Sequence, residues 1–346
     1  MSTKISAIVH TEYHLLLFIN YYLQNPDLEY TLYLLQPEDR RFKQELNFEE
    51  LKNLCIGYLP PLSKAIYITP AEEEFVVKIT HEKPDIFIFF QEMNLLSVII
   101  SSKLKEKGSK VFLFQDGTKA YFELKKFSFG LFKDNFRRRM FLLMNKVIKF
   151  KIYDYFNYYR YANYDFIDAI FLTNPEMYDN WNNKQIYKIK FTNLDDLRVA
   201  LQNIFNWDSR ILPVSQNVIF YMTQPLHNDG NAEYEMLTDI ASRYSNTLYI
   251  KPHPLTNKKL LERYQSDSRF NVIDSSIPAE LFLLNLSDSV VLSVNSTSQL
   301  IEYPTLKSYY VYQYLIGKIA RLKKLNFKAV PAKYIKVVTD INEITF

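Results

Sequence analysis

The chain of 346 residues holds one cysteine, Cys55, six glycines and five histidines. A lone thiol permits no intramolecular disulfide and no cysteine-based zinc site, which fits a reducing cytoplasm. Six scattered glycines build neither a Walker loop nor a dinucleotide turn, because both need several residues without Cβ in one short loop. Long apolar runs are also missing. The opening MSTKISAIVHTEYH lacks the continuous apolar stretch of a signal peptide, and no later segment approaches about 18 uncharged apolar residues. The expected location is the cytoplasm, without a standard secretion signal or a membrane span. A formal charge of +4 is too small to point to nucleic acid.

What the chain has in quantity is apolar and aromatic mass. Hydrophobic residues make up 48% and aromatics 16%, with 27 Tyr and 26 Phe, which excludes a disordered chain. The length exceeds what one core usually supports, so two domains are expected. The polar, proline-containing NWDSRILPVSQ near 206–217 places the boundary, giving 1–205 and 206–346. Charge is uneven: between Lys125 and Arg160 ten Lys or Arg stand against two Asp, interleaved with Phe, Tyr, Leu and Met. That insertion, about 125–161, reads either as a face for an anionic membrane or as a solvated helix whose aromatics reach the core.

Periodicity sets the fold class. KISAIVH, YTLYLL, KAIYIT, DIFIFF and KVFLFQ are short, β-branched or aromatic runs bounded by turn formers and read as strands. EYHLLLFINYYLQ, FKQELNFEELKNL, AEEEFVVKITHE and NLLSVIISSKLKEKG lie between them with helical spacing. After the insertion and a polar connection, YDNWNNKQIYKIKFTNLDD, alternation resumes through NVIFYMTQ, TLYIKPHP, FNVIDSS, DSVVLSV and KSYYVYQ as strands. The helices of this half are NAEYEMLTDIASRYS, KKLLERYQS, PAELFLLNL and STSQLIEYPTL. Alternating strands and helices predict α/β architecture: two Rossmann-like halves with parallel sheets, facing a ligand cleft.

Three places at strand ends carry chemistry. In VFLFQDGTKAYF, Asp116 follows the apolar run and Gln115, and Gly117 permits a sharp turn; the carboxylate suits a general base, or equally an Asp-Gly turn or a helix cap. In TLYIKPHP, prolines on both sides constrain His253, and Lys251 two residues earlier points to the same side on extended backbone. An ammonium beside an imidazole suits a phosphate. In DSVVLSVNSTSQLIEY, a strand runs into Asn295, Ser296, Thr297 and Ser298 ahead of an expected helix, giving hydroxyls and backbone N–H groups for an anion, or ordinary capping.

QDGT, TQPL, KPHP and NSTSQLIEYP, in that order, resemble the bacterial sialyltransferases of the lipooligosaccharide and polysialic-acid capsule type, including glycosyltransferase family 52; IVHTEYHLLLFIN is similar to their opening strand and helix. The resemblance implies a GT-B fold and an inverting, metal-independent transfer of sialic acid from CMP-sialic acid to a galactoside, with no cofactor. By position it implies that Asp116 is the base, that His253 contacts the CMP phosphate and protonates it, and that Ser296 and Thr297 bind that phosphate. Gln224, Lys251, Pro254, Asn295 and Ser298 complete the expected donor site. Gln115 departs from the family, which commonly has an acid there. Expected partners are the nucleotide-sugar donor, a surface-glycan acceptor, the inner face of the cell membrane and a second copy of the chain. Two alternatives stand beside this reading: a transferase using another sugar nucleotide or CDP-glycerol, and a non-catalytic membrane-surface module.

Overall fold

The computed structural model describes residues 2–35, 46–47, 49, 53–60, 68–121, 140–144, 161–224, 230–273, 276–319, 322 and 332–345. They form two compact units, Met1–Thr192 and Asn193–Phe346. Each unit is a parallel sheet with helices between its strands.

The first sheet contains β1 (Lys4–Val9), β2 (Glu29–Leu35), β3 (Leu54–Leu59), β4 (Ile86–Phe89), β5 (Lys110–Phe114), β6 (Ala169–Leu172) and β7 (Gln185–Lys188). Its order is β3-β2-β1-β4-β5-β6-β7, with every pairing parallel. Helices α1 (Glu12–Gln24), α2 (Pro70–Glu82) and α3 (Leu95–Glu106) connect the strands. The chain reverses its direction of growth between β1 and β4, the switch point where such sheets hold ligands.

The second sheet repeats that plan with β8 (Ile219–Met222), β9 (Leu248–Lys251), β10 (Phe270–Val272), β11 (Ser289–Ser293), β12 (Leu306–Tyr310) and β13 (Ile335–Val337). The order β10-β9-β8-β11-β12-β13 puts its switch point between β8 and β11. Its helices are α4 (Leu194–Ile204), α5 (Gly230–Arg243), α6 (Lys258–Ser266), α7 (Ala279–Asn285) and the single turn α8 (Tyr312–Leu315). Helix α4 precedes the boundary expected at 206, yet belongs to this unit: Gln202 Nε2 donates to Asn285 Oδ1 of α7 at 2.6 Å.

Local sequence explains where helices start. Thr11, Thr69, Asn94, Asn193 and Asn257 each accept a backbone N–H of the first turn, at α1, α2, α3, α4 and α6, and Thr69 with Glu72 forms a capping box. Central strands β8 and β11 are buried throughout, because helices cover both faces of a parallel sheet. Edge strand β7 is mostly exposed.

The structure extends the expected first sheet at three places. LCIGYL forms β3, AIFL forms β6 just after the insertion, and QIYK forms β7 within the polar connection. The expected strand at 64–69 lies outside the described residues except for Ile68 and Thr69, as does most of FKQELNFEELKNL. Of the basic aromatic segment only 140–144 is described, a helical stretch with Leu142 buried and Met144 exposed. Among the described residues no helix is long and apolar enough to cross a membrane.

Candidate active site

At the carboxyl edge of the first sheet, the turn after β5 presents Asp116. Gly117 adopts φ +65°, a left-handed conformation open to a residue without Cβ, and a short 3-10 turn follows over Gly117–Tyr121. The Asp116 carboxylate meets α1: Asp116 Oδ1 lies 3.1 Å from His14 Nε2. His14 stacks on Phe90, which follows β4, with ring centroids 4.5 Å apart and 13° between planes. His14 Nδ1 accepts the backbone N–H of His10, at the end of β1, at 3.4 Å. His10 Nε2 in turn pairs with Ser97 Oγ of α3 at 3.1 Å. The sheet's switch point is thus lined by His10, His14 and Phe90, with Asp116 on the adjoining strand.

Gln115, beside Asp116, is fully buried. Its Oε1 accepts the Tyr121 hydroxyl at 2.6 Å, the Thr173 N–H at 2.9 Å and the Thr173 hydroxyl at 3.0 Å, while Nε2 donates to the Tyr13 hydroxyl at 3.0 Å. The next loop is anchored by Glu92, whose carboxylate accepts the N–H of Ala162 at 2.8 Å and of Asn163 at 3.1 Å. Ala162 has φ +60°, so this buried carboxylate holds a left-handed turn where the chain re-enters the sheet.

In the second unit, Thr223 at the end of β8 locks the Lys-Pro-His-Pro loop. Its hydroxyl accepts the His253 N–H at 2.8 Å and pairs with Thr256 Oγ1 at 3.0 Å, and its N–H donates to Lys251 O at 3.1 Å. His253 Nδ1 accepts the Leu255 N–H at 3.1 Å. Lys251 is turned toward α7: its Nζ sits 5.7 Å from the Phe282 ring centroid, and its charge favours the ionised form of Glu280. Burial raises the pKa of the Glu280 carboxyl, against its own backbone N–H, the Ser298 hydroxyl and Lys251.

The loop after β11 is equally fixed. Ser293 Oγ accepts the Ser296 N–H at 2.7 Å and donates to Gln299 Oε1, and the Tyr310 hydroxyl donates to Ser296 O at 2.8 Å. Ser298 is buried, and its hydroxyl donates to Glu280 Oε1 at 2.8 Å. The helix expected after Asn295 is a single 3-10 turn, Thr297–Leu300, and Ile301 is already extended. Gln299 explains the stop: its amide donates to Val291 O and Tyr309 O, both at 3.2 Å, tying the turn to β11 and β12. Asn295, Ser296 and Thr297 are all half-buried, and with a single 3-10 turn behind them the loop has no helix dipole to offer an anion.

Beneath Gln224, the Glu233 carboxylate of α5 is fully buried. Burial pushes it up to about 7, against donation from the Tyr221 hydroxyl, the Gln224 N–H and the Tyr264 hydroxyl. The native state therefore holds this proton more tightly than the unfolded chain, whose ordinary value is 4.5. The resulting stabilisation is complete below pH 4.5 and is lost as pH rises through about 7, a contribution on the order of 3 kcal/mol. Urea unfolding at pH 5.5 and 8.5 should show the Glu233→Gln variant losing less stability between the two than the parent chain; equal slopes contradict the assignment.

The chain's relatives bear on what this edge does. The model of the alpha-2,8-polysialyltransferase family matches residues 30–310. The chain belongs to that family. Among solved structures, the glycosyltransferase of kitacinnamycin shares 11% identity at a TM-score of 0.50, covering 99% of this chain and 87% of that one. A Listeria monocytogenes protein assigned as a UDP-N-acetylglucosamine 2-epimerase shares 13% identity at a TM-score of 0.50, covering 86% and 76%. These likenesses show the fold, which is of the GT-B type. No protein of curated function matches the sequence.

The expected donor-site residues Gln224, Lys251, His253 and Asn295 to Ser298 of this family member gather on one sheet edge, Thr223 and Glu280 tying them together. Pro254 is exposed beside His253. Asp116 stands on the other unit's sheet. His14, Phe90, Thr223, Glu233 and Glu280 were not singled out by sequence reasoning; each lies inside a segment correctly read as helix or strand end, and only His14 and Thr223 fall within stretches that carry the resemblance. At the family's acidic position, Gln115 serves as a strut joining α1, the turn after Asp116 and the end of β6. Gln115→Ala strips three donors of their acceptor and should lower unfolding stability by about 2–4 kcal/mol. Gln115→Glu should be tolerated, since the Tyr13 hydroxyl can rotate to donate to a carboxylate; a denaturation series on both variants checks this.

Proposed function

We propose that this chain transfers sialic acid from CMP-sialic acid to a hydroxyl of a bacterial surface glycan, with inversion and without a metal. The observation that carries the reading is the family match, whose span includes Asp116, His253, Ser296 and Thr297. In this scheme the acceptor oxygen bonds to the anomeric carbon as that carbon's bond to the CMP phosphate oxygen breaks. Asp116 takes the acceptor's proton, and the bonding pair leaves on the phosphate. His253 hydrogen-bonds and protonates that phosphate while Ser296, Thr297 and nearby backbone N–H groups take up its charge. A single displacement inverts the anomeric centre.

The family description favours the hydroxyl of a terminal sialic acid over the plain galactoside expected from the motifs. Purified protein incubated with CMP-sialic acid and either lactose or sialylated lactose tests both. CMP release with an elongated glycan, unaffected by chelator, is the expected result, and it should be larger with the sialylated acceptor. Stabilisation by UDP compounds but not CMP in a thermal-shift series, with no CMP release, would overturn the donor assignment in favour of another activated sugar.

A further inference from the structure

We infer that His14 is the positioning residue for Asp116: a neutral imidazole, held in one tautomer, that fixes the direction of the carboxylate through its Oδ1. The inference rests on the reading of Asp116 as the base.

Hydrogen bonding sets the tautomer. His14 Nδ1 accepts the His10 backbone N–H, so the ring proton of the neutral form sits on Nε2, which faces Asp116 Oδ1 at 3.1 Å. An imidazolium would turn an N–H against the His10 N–H and would bury a charge, since the His14 side chain is only 1% exposed. Asp116 is 16% exposed. That contrast decides which member of the pair meets a substrate: the carboxylate reaches the surface and the imidazole does not. The arrangement is the reverse of a hydroxyl–histidine–aspartate relay, in which the imidazole touches the reacting hydroxyl and the carboxylate stands behind it. Here the carboxylate stands in front. The acceptor's proton stays on Asp116, because His14 already carries one proton and its other nitrogen faces a donor.

The ring has little freedom to tilt. Phe90 stacks on it, His10 meets it edge-on with centroids 6.2 Å apart, and the Thr11 side chain accepts the His14 N–H at 3.3 Å, fixing the first turn of α1. Strands β1, β4 and β5 thus each contribute to the carboxylate's direction, through His10, Phe90 and Asp116 itself. A lysine or arginine at this position would hold the oxygen as well but would place a buried cation against the base, which a neutral N–H donor avoids.

The test is a kinetic cycle on the full chain with CMP-sialic acid and the better acceptor. His14→Phe keeps the stacking and removes the donor; His14→Gln returns an N–H near the same place. The expected result is a fall in kcat of about tenfold to a hundredfold for His14→Phe with the donor KM within about twofold, and recovery of most of it by His14→Gln. In an Asp116→Asn background His14→Phe should cost nothing further. Equal losses in both backgrounds, or no recovery with Gln, would overturn the inference. If Asp116→Asn is inactive while His14→Phe is unaffected, only the inference falls; if Asp116→Asn is fully active, the base reading falls with it. Nitrogen-15 NMR of histidine-labelled protein reads the tautomer without substrate. It should show His14 protonated on Nε2 alone between about pH 6 and 8, and an imidazolium or an Nδ1-protonated ring contradicts the assignment.

Discussion

Asp116→Asn is expected to lower glycan elongation by about 10²- to 10⁴-fold, the range over which a positioned general base acts. The asparagine keeps an oxygen that can accept from His14 Nε2, so the turn after β5 and the stacked His14–Phe90 pair should survive. Unfolding stability should therefore fall far less than activity does. The donor KM should change little, since His253 and the Asn295–Thr297 loop belong to the other unit. Loss of activity together with a large loss of stability would assign Asp116 to structure instead.

The second large effect is expected at His253. The backbone of its loop is held by Thr223 and Thr256, and the side-chain Nδ1 accepts the Leu255 N–H. His253→Asn can keep that acceptor and removes the Nε2–H, isolating the phosphate role. Transfer should fall by about 10²- to 10³-fold, in line with the loss of one donor aimed at developing charge. A donor with a better leaving group than CMP should recover part of the loss in His253→Asn and none in Asp116→Asn. Equal recovery in both would show that the two residues do not divide the work as proposed.

Where the fold was legible in sequence, burial on both faces made it so. IFYM and SVVLS sit at the centre of the second sheet and read as unbroken apolar runs. EYHLLLFINYYLQ and KKLLERYQS form helices with the bounds expected from their spacing. QIYK was missed because an edge strand of four residues, mostly exposed, carries neither a run nor a period. LCIGYL has its buried residues at its two ends, which matches no alternating template. The helix expected from STSQLIEYPTL failed for a tertiary reason: the Gln299 side chain is spent on the carbonyls of β11 and β12, and local spacing cannot report that.

The candidate site was legible in its strand-end positions and not in their supports. That Asp116, His253 and Asn295 to Thr297 follow strand ends could be read because a sheet edge leaves a composition signal: an apolar run that stops at polar side chains. Their supports could not. His14 is 102 positions from Asp116 in sequence, and only the order β1-β4-β5 brings them together. Ser298 shows the converse, a hydroxyl with the right neighbours that the fold buries against Glu280. Lys251 is likewise drawn toward α7, because a buried carboxylate there needs a compensating charge.

The central claim is that the carboxyl edge of the second sheet holds the leaving nucleotide's phosphate. A crystal structure of the full chain soaked with CMP measures it directly. The phosphate is predicted within about 3.2 Å of His253 Nε2 and of the Ser296 or Thr297 hydroxyl. CMP bound elsewhere, with its phosphate away from both loops, would contradict the account.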